Sequence, residues 1–270
     1  MIDLAWQAAA APWASISGHG GVPGLACAAS KGDQYALSAA LAGDHAAFHR
    51  AGAEYPTMAL ARRLGIRLLL PVPAVAACST GLYSLLAAAD LVEAGLTSHA
   101  LVGASDVCLT PLVVAGFTAL GVLCGEQLPG SGHGFAPAEG AGFVALAEAG
   151  PWGLRAGVRL GDARHETRFL DPLTLASALT ALWQVMPDPD LIVVHGTGTT
   201  VGEAYEERGL AAGPWSRAPR LHCKPIIGHC LGASGSAELA LALEAPVERL
   251  WKISLGFGGH LAAVALSRTG

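Results

Sequence analysis

The feature that most constrains the fold is the stretch 75–92, which reads VAACSTGLYSLLAAADLV. A short apolar run from Val72 leads into it, and no helix breaker follows until Gly95. This order predicts a strand, a tight turn and a helix, with Cys78 in the turn. A thiol at a helix N-terminus lies near unpaired N–H groups and the positive end of the helix dipole, and both favour the thiolate. Cys78 is therefore a candidate nucleophile, and the alternative is a small buried cysteine at a strand–helix junction.

Two histidines occupy comparable positions later in the chain. His195 follows the apolar run 191–194 and begins the glycine-rich turn HGTGT. His229 ends a segment that starts at Lys224, and another alanine- and leucine-rich helix follows from Gly235. A lone histidine at a strand end is usually a satisfied core group. One cysteine and two glycine-flanked histidines, all at predicted turns, form a set that can converge in one site.

Short apolar runs alternate with helical patterns along the chain, which predicts an α/β fold. The first predicted helix covers 4–11 and ends at Pro12, and a short strand is predicted over 221–224. A weak internal echo relates residues 78–81 to residues 229–232, since each lies between a short strand and an Ala/Leu helix.

Composition and charge exclude several classes of function. The net charge is −5 and the sequence has no basic cluster, which argues against a nucleic-acid partner.

The segment 107–125 has no charged residue, but Pro111 and glycines interrupt it and no Lys or Arg flanks it. We therefore expect a buried element at a subunit interface there, not a membrane span. The N-terminus is a poor secretory signal, and the six cysteines lack zinc or CxxC spacing, so we expect a cytoplasmic protein with reduced thiols.

Together, these motifs resemble the β-ketoacyl synthase family of the thiolase superfamily. The match extends to GFAPAEG at 134–140 and to GFGG at 256–259, and it covers about Met58 to Leu266. The resemblance implies a thiolase-like α/β fold in which two duplicated halves stack in five layers, α-β-α-β-α. The half at 1–150 would then carry the nucleophilic cysteine, and the half at 151–270 would carry both histidines.

The resemblance also implies a role for each motif. Cys78 would accept an acyl chain from an acyl carrier protein thioester. His195 and His229 would stabilise the enolate formed when a malonyl thioester on the carrier loses CO2. Lys224 would support the histidines, and Glu139 would be its buried partner. No metal is implied, and no cofactor apart from the phosphopantetheine arm that the carrier protein delivers.

Further positions follow from the same resemblance. The backbone N–H groups of Phe257 and Cys78 would form an oxyanion hole, and the Phe257 ring would separate the acyl and malonyl sites. Gly256 and Gly258 would let the backbone approach the ligand closely. Thr197 and Thr199 would bond the pantetheine arm or position His195, with simple turn chemistry as the alternative.

The chain departs from the family at several points. Most of the missing length precedes Cys78, and the loop 123–134 is short. His260-Leu261 replaces a Thr-Asn pair, and Glu203 stands where Asp or Asn is common.

The expected function is a condensing enzyme of fatty-acid or polyketide biosynthesis. It would act as a homodimer, or as a heterodimer with another ketosynthase subunit, through the apolar region 101–123. One alternative is a non-catalytic partner subunit that helps set chain length; such partners usually lose the cysteine, which is present here. Another is an acyltransferase or thioesterase on the same scaffold.

Overall fold

The computed structural model describes residues 1–66, 74–124 and 134–270, and they form a mixed α/β structure. The helices are α1 (Ile2–Ile16), α2 (Gln34–Leu41), α3 (Tyr55–Leu64), α4 (Thr80–Glu93), α5 (Pro111–Ala119), α6 (Thr174–Val185), α7 (Thr200–Ala211), α8 (Lys224–Ile227) and α9 (Ser234–Ala242). The strands are β1 (Pro23–Ala28), β2 (His99–Asp106), β3 (Gly140–Ala147), β4 (Trp152–Gly161), β5 (Leu191–Val193), β6 (Arg220–Leu221), β7 (Arg249–Gly256) and β8 (His260–Arg268).

The strands form two sheets. The first has the order β1-β2-β3, with β1 parallel and β3 antiparallel to the central β2. The second has the order β4-β8-β7-β5-β6. In it β5 runs parallel to both of its neighbours, and β8 runs antiparallel to β4 and β7. Among the described residues, the first sheet draws its strands from 23–147 and the second from 152–268.

Helices cover both faces of each sheet. Helices α4 and α9 lie between the sheets, where Leu82, Leu85 and Leu239 pack with Val102 and Val264 in one buried cluster. Helices α1 and α3 cover the outer face of the first sheet. Helix α6 covers the outer face of the second sheet. The layers therefore alternate α-β-α-β-α, which confirms the expected fold class.

The two halves share a structural repeat, but the residues that correspond differ from those aligned in the sequence. Ala77 and Leu231 both have positive φ, 46° and 47°, and each opens a single 3₁₀ turn that leads directly into α4 or α9. Cys78 therefore corresponds to Gly232, and not to His229. The strained residue before the helix marks the repeat, and its conformation is not visible in the residue types.

Two predicted boundaries were wrong. Helix α1 continues through Pro12 to Ile16, and the Ser17 N–H closes its last turn onto Trp13 O at 2.8 Å. A proline removes a single N–H from the ladder, and helix packing against the first sheet tolerates that loss. Lys224 does not extend a strand, because β6 ends earlier and Lys224 begins α8. The strand expected over the apolar run 72–75 lies partly outside the described residues, at 72–73, and Ala74 and Val75 do not belong to a strand.

The apolar region 101–123, which was expected at a subunit interface, does not form one continuous exposed surface. Residues 99–106 are all buried inside the first sheet, so β2 is not available to a partner, which corrects that part of the expected interface. In α5, Phe117 is buried, whereas Leu112 and the following Leu120 are exposed. Among the helices in the described ranges, none has the length and apolar character to cross a membrane.

Candidate active site

One cavity of about 420 Å³ brings most of the predicted site residues together. Its lining includes Cys78, His195, Thr197, Thr199, His229, Gly256 and Phe257. These residues come from the turn before α4, the segment after β5, the turn before α9 and the end of β7. The elements meet because α4 and α9 pack against each other between the two sheets. The duplicated architecture thus places the cysteine and both histidines at one end of the central layer.

Cys78 lies in the 3₁₀ turn Ala77–Ser79 and is 6% exposed. Burial raises the pKa of its thiol above the ordinary value, while Lys31, Lys224 and a hydrogen bond from the Phe257 N–H act in the opposite direction. The argument from the helix N-terminus predicted a thiolate, and in the resting site desolvation outweighs that effect. The resting group is therefore a thiol, which needs a proton acceptor before it can attack.

The backbone at Gly256 approaches the nucleophile turn closely. A Cβ at this position would lie 2.6 Å from Ala76 O and 3.2 Å from Cys78 N. Only glycine fits there without a shift of the backbone. The next residue, Phe257, has its backbone N–H near enough to the thiol to oppose the rise in the pKa of Cys78.

The glycine loop after Gly256 is tied to the segment that follows β4. Gly258 has φ +80° and its N–H donates to Glu166 O at 2.7 Å. The buried Asp162 carboxylate holds that segment, because it accepts hydrogen bonds from Leu170 N at 2.6 Å and Asp171 N at 2.7 Å. These contacts fix the wall of the cavity around Phe257.

The two histidines are neighbours in the lining of the cavity and meet edge to face. Their ring centroids are 5.7 Å apart, with the planes at 83°. Burial, and after it Lys224, lowers the pKa of both imidazoles well below the ordinary value. Both rings are therefore neutral at neutral pH, and each can donate one N–H and accept one proton.

Each ring has a different partner. His229 Nδ1 lies 2.9 Å from Ser234 Oγ. If the hydroxyl donates to Nδ1, the ring proton is on Nε2. Among the described residues, His195 Nδ1 has no hydrogen-bond partner. One imidazole is thus oriented by a serine, which sequence reasoning missed, and the other keeps a nitrogen without a bond.

Lys224 is buried as predicted, but its carboxylate partner is Glu238 and not Glu139. Its Nζ lies 2.8 Å from Glu238 Oε1 and also donates to His195 O. Glu139 is exposed and accepts hydrogen bonds from Tyr35 Oη at 3.1 Å and Leu109 N at 3.0 Å. The motif position of Glu139 suggested the pairing, whereas Glu238 in α9, fourteen residues after Lys224, is the carboxylate that reaches this lysine in the core.

Two further buried charges were missed. Lys252 in β7 lies 2.6 Å from Glu238 Oε2. Glu206 in α7 accepts hydrogen bonds from His195 N at 2.5 Å and Gly196 N at 2.7 Å. The signal for Lys252 was a lone cation between Trp251 and Ile253 in an otherwise apolar strand, because such a charge requires a buried partner.

Thr197 and Thr199 both belong to the turn that leads into α7. Thr199 is the N-cap of α7, and its hydroxyl accepts a hydrogen bond from Gly202 N at 3.3 Å. Thr197 Oγ1 lies 3.1 Å from Thr199 Oγ1. The turn chemistry considered as the alternative is present, and both side chains also line the cavity.

The remainder of the cavity wall is largely apolar and aromatic. Phe135 packs edge-on against His229, with centroids 4.7 Å apart, and Phe169 stacks on Tyr205 at 5.0 Å. Other lining residues are Phe117, Leu120, Val122, Thr167, Arg168, Val201 and Leu255. Within the described ranges, no group of His, Cys, Asp or Glu has the arrangement of a metal site. The site therefore combines a thiol, two neutral imidazoles and an apolar wall.

Family models and curated relatives match most of this chain. The family model "Beta-ketoacyl synthase, N-terminal domain" matches residues 24–150, and "Beta-ketoacyl synthase, C-terminal domain" matches 174–256. The oxytetracycline polyketide putative beta-ketoacyl synthase 1 of Streptomyces rimosus is 28% identical over 72% of this chain and 59% of its own length. The 3-oxoacyl-[acyl-carrier-protein] synthase 2 of Vibrio cholerae is 27% identical over 64% of this chain and 49% of its own length. The chain thus spans about half the length of the curated relatives it matches.

Solved structures share the whole fold. "The ishigamide ketosynthase/chain length factor" superposes with a TM-score of 0.86 at 20% identity, over 100% of this chain and 83% of that chain. A β-ketoacyl synthase from Burkholderia phymatum gives a TM-score of 0.86 at 19% identity, over 98% and 81%. A chain of a third structure, titled as a type II acyl-carrier protein "in complex with its ketosynthase bound to the hexaketide", gives a TM-score of 0.88 at 20% identity, over 99% of this chain and 84% of that chain. The fold is therefore thiolase-like, as the sequence resemblance implied.

Proposed function

The chain belongs to the β-ketoacyl synthase family, and from that premise we propose that it is a condensing enzyme that extends an acyl chain held on Cys78. The observation that carries the proposal is that Cys78 and two neutral histidines line one cavity. A thiol supplies the nucleophile, and neutral imidazoles supply the proton acceptor and N–H donors that the reaction needs.

The first step would be transfer of the acyl group to Cys78. An imidazole accepts the thiol proton, and the sulfur attacks the carbonyl carbon of the acyl thioester. The carbon–sulfur bond to the pantetheine breaks, and the departing thiolate takes up the proton. The N–H groups of Cys78 and Phe257 would stabilise the negative oxygen of the tetrahedral intermediate.

The second step would be decarboxylation of a malonyl thioester and attack on the acyl-cysteine. The bond to the malonyl carboxylate breaks, CO2 leaves, and the electron pair forms an enolate whose oxygen accepts hydrogen bonds from the N–H groups of His195 and His229. The α-carbon then attacks the acyl carbonyl, and the bond to the Cys78 sulfur breaks with the electron pair on sulfur. The released thiolate takes up a proton from solvent, which restores the thiol, and the product is two carbons longer. Lys224 would favour the enolate by its charge, and Glu238 would hold that lysine in place.

The proposal includes an acyl carrier protein as the source of both thioesters. Its phosphopantetheine arm would be the only prosthetic group, and Thr197 and Thr199 would contact the arm within the cavity. The largely apolar wall around Phe169 and Tyr205 suits an acyl or polyketide chain. A cytoplasmic location, and a homodimer or heterodimer through the exposed residues of α5, belong to the same proposal.

A partner subunit without condensing activity is the second candidate. Two of the similar structures are titled as a ketosynthase with its chain length factor, and the chain spans about half of its curated relatives. The presence of Cys78, His195 and His229 at one cavity favours the enzyme. An acyltransferase or thioesterase would use the first step alone.

Intact-mass spectrometry separates these candidates. The protein is incubated with a panel of acyl carrier protein thioesters and then with malonyl carrier protein. Cys78→Ala removes the nucleophile, and Cys124→Ala is the matched control because Cys124 lies outside the lining of this cavity. An adduct present in the wild type and in Cys124→Ala, absent in Cys78→Ala and extended by two carbons supports condensation. An adduct without extension indicates acyl transfer or hydrolysis, and no adduct with any thioester indicates a partner subunit.

A further inference from the structure

Lys252 lies in the middle of β7 and has no role in the reaction described above. Its side chain is fully buried, and its Nζ donates to Glu238 Oε2 at 2.6 Å, Ile253 O at 2.8 Å and Val194 O at 3.2 Å. A neutral amine has two N–H groups and an ammonium has three. Three acceptors within hydrogen-bond distance therefore indicate that Lys252 is charged.

The Glu238 carboxylate forms ion pairs with two lysines. Glu238 Oε1 lies 2.8 Å from Lys224 Nζ, and Glu238 Oε2 lies 2.6 Å from Lys252 Nζ. A single lysine would neutralise Glu238, so the buried triad carries an excess positive charge. Apolar residues usually stabilise a core at least as well as buried charges do. The excess charge therefore needs an explanation other than folding stability.

The triad lies directly against the backbone that carries His195. Lys252 donates to Val194 O and Lys224 donates to His195 O, which are consecutive carbonyls directly after β5. On the other side, Glu206 accepts the N–H groups of His195 and Gly196. The peptide groups on both sides of His195 are thus bonded to buried charged side chains.

We infer that Lys252 is a positioning residue, which fixes the end of β5 and supplies the excess positive charge beside His195 and His229. Charged and titratable groups face these imidazoles from several elements: Lys31 after β1, Cys78 before α4, Glu206 in α7, Lys224 in α8, Glu238 in α9 and Lys252 in β7. The cations, Lys252 among them, lower the pKa of both rings, in addition to the effect of burial. The same field would favour an oxyanion between the rings, and only this effect on rate rests on the proposed condensing function.

Lys252→Met tests the charge directly, because it leaves Lys224 and Glu238 as a neutral pair. We expect the pKa of His195 and His229 to rise, measured by NMR titration of the imidazole C–H signals, with His195→Gln and His229→Gln used for assignment. Lys252→Gln is the second variant, since its amide keeps a donor for the carbonyls and removes the charge. It is expected to give the same shift.

The double variant Lys252→Met/Glu238→Gln separates charge from packing. It leaves Lys224 as a lone cation and so restores the excess charge, although it removes more native contacts than the single variant. The histidine titrations are expected to return toward those of the wild type. A merely structural role of Lys252 predicts instead that the double variant departs further from the wild type.

The rate of condensation supplies an independent readout. Misplacement of His195 and loss of the excess charge should lower kcat by about tenfold to a hundredfold in Lys252→Met. The pH dependence of Cys78 alkylation should not change, since the cations that act on Cys78 are Lys31 and Lys224. Folded Lys252 variants with wild-type histidine titrations would overturn the inference, whether or not the protein condenses thioesters. Shifted histidines in a protein that never condenses would overturn the proposed function alone and leave the charge role of Lys252 in place.

Discussion

Gly256→Ala should disrupt the site through one added methyl group. The new Cβ would lie 2.6 Å from Ala76 O, whereas ordinary contacts begin near 3.4 Å, so the two backbones must separate by 3.4 − 2.6 = 0.8 Å. Overpacking of this kind costs about 1–3 kcal/mol. Unfolding entropy of about 2.1 cal/mol/K per residue gives roughly 570 cal/mol/K for 270 residues, so Tm should fall by about 2–5 °C.

The same displacement moves the Phe257 N–H away from the Cys78 sulfur. A hydrogen bond to a charged group contributes about 1.5–3 kcal/mol, so the alkylation of Cys78 by iodoacetamide at fixed pH should slow by about tenfold to a hundredfold. Peptide mapping after timed alkylation measures this rate, with Cys78→Ala as the background. Gly161→Ala is the matched control, because a Cβ there meets no atom within 4 Å. Wild-type Tm and wild-type alkylation in Gly256→Ala would refute the reasoning.

Three further substitutions test other parts of the structure. Glu139→Gln should leave Cys78 acylation and the histidine titrations unchanged, because its carboxylate bonds Tyr35 and Leu109 N and not Lys224; a loss of acylation would restore the pairing expected from the sequence. Arg164 and the N–H groups of Asp171 and Leu170 hold the pKa of Asp162 well below its usual range, so its stabilising effect exists above the unfolded pKa of about 3.9 and is lost as pH falls. The Tm difference between wild type and Asp162→Asn should therefore be largest above about pH 5 and shrink below about pH 4; a pH-independent difference would contradict this. Leu112→Asp on the exposed face of α5 should convert an oligomer to a monomer in size-exclusion chromatography with light scattering, without a large change in Tm, whereas an unchanged mass would exclude this face from the interface.

The sequence was sufficient to predict that Cys78, His195 and His229 come together, but not the partners of the charged residues around them. Cys78, His195 and His229 each lie in a short motif whose glycines and flanking apolar runs are local signals. The partner of Lys224 depends instead on tertiary packing, because Glu238 lies fourteen residues further along the chain in α9 and meets Lys224 only where both side chains are buried. Glu139 belonged to a recognisable motif, whereas Glu238 stands in an alanine- and leucine-rich helix with no motif of its own. Its charge in that apolar helix was the available clue, because a buried carboxylate requires a cation.

The protonation state of Cys78 shows why a local argument was insufficient at the reacting atom. The helix N-terminus favours the thiolate, but the turn before α4 lies in the core, where desolvation raises the pKa of the thiol. The same burial lowers the pKa of His195 and His229, so the resting site pairs a protonated thiol with neutral imidazoles. Under the proposed mechanism this combination is useful, since a proton can pass from sulfur to nitrogen when a thioester arrives. If that reasoning is correct, Cys78 alkylation by a small neutral reagent will be slow at neutral pH and will rise with pH, while the histidines stay neutral throughout the same range. Rapid alkylation that does not depend on pH would show that the thiol is already ionised, and that the helix terminus and the lysines outweigh burial.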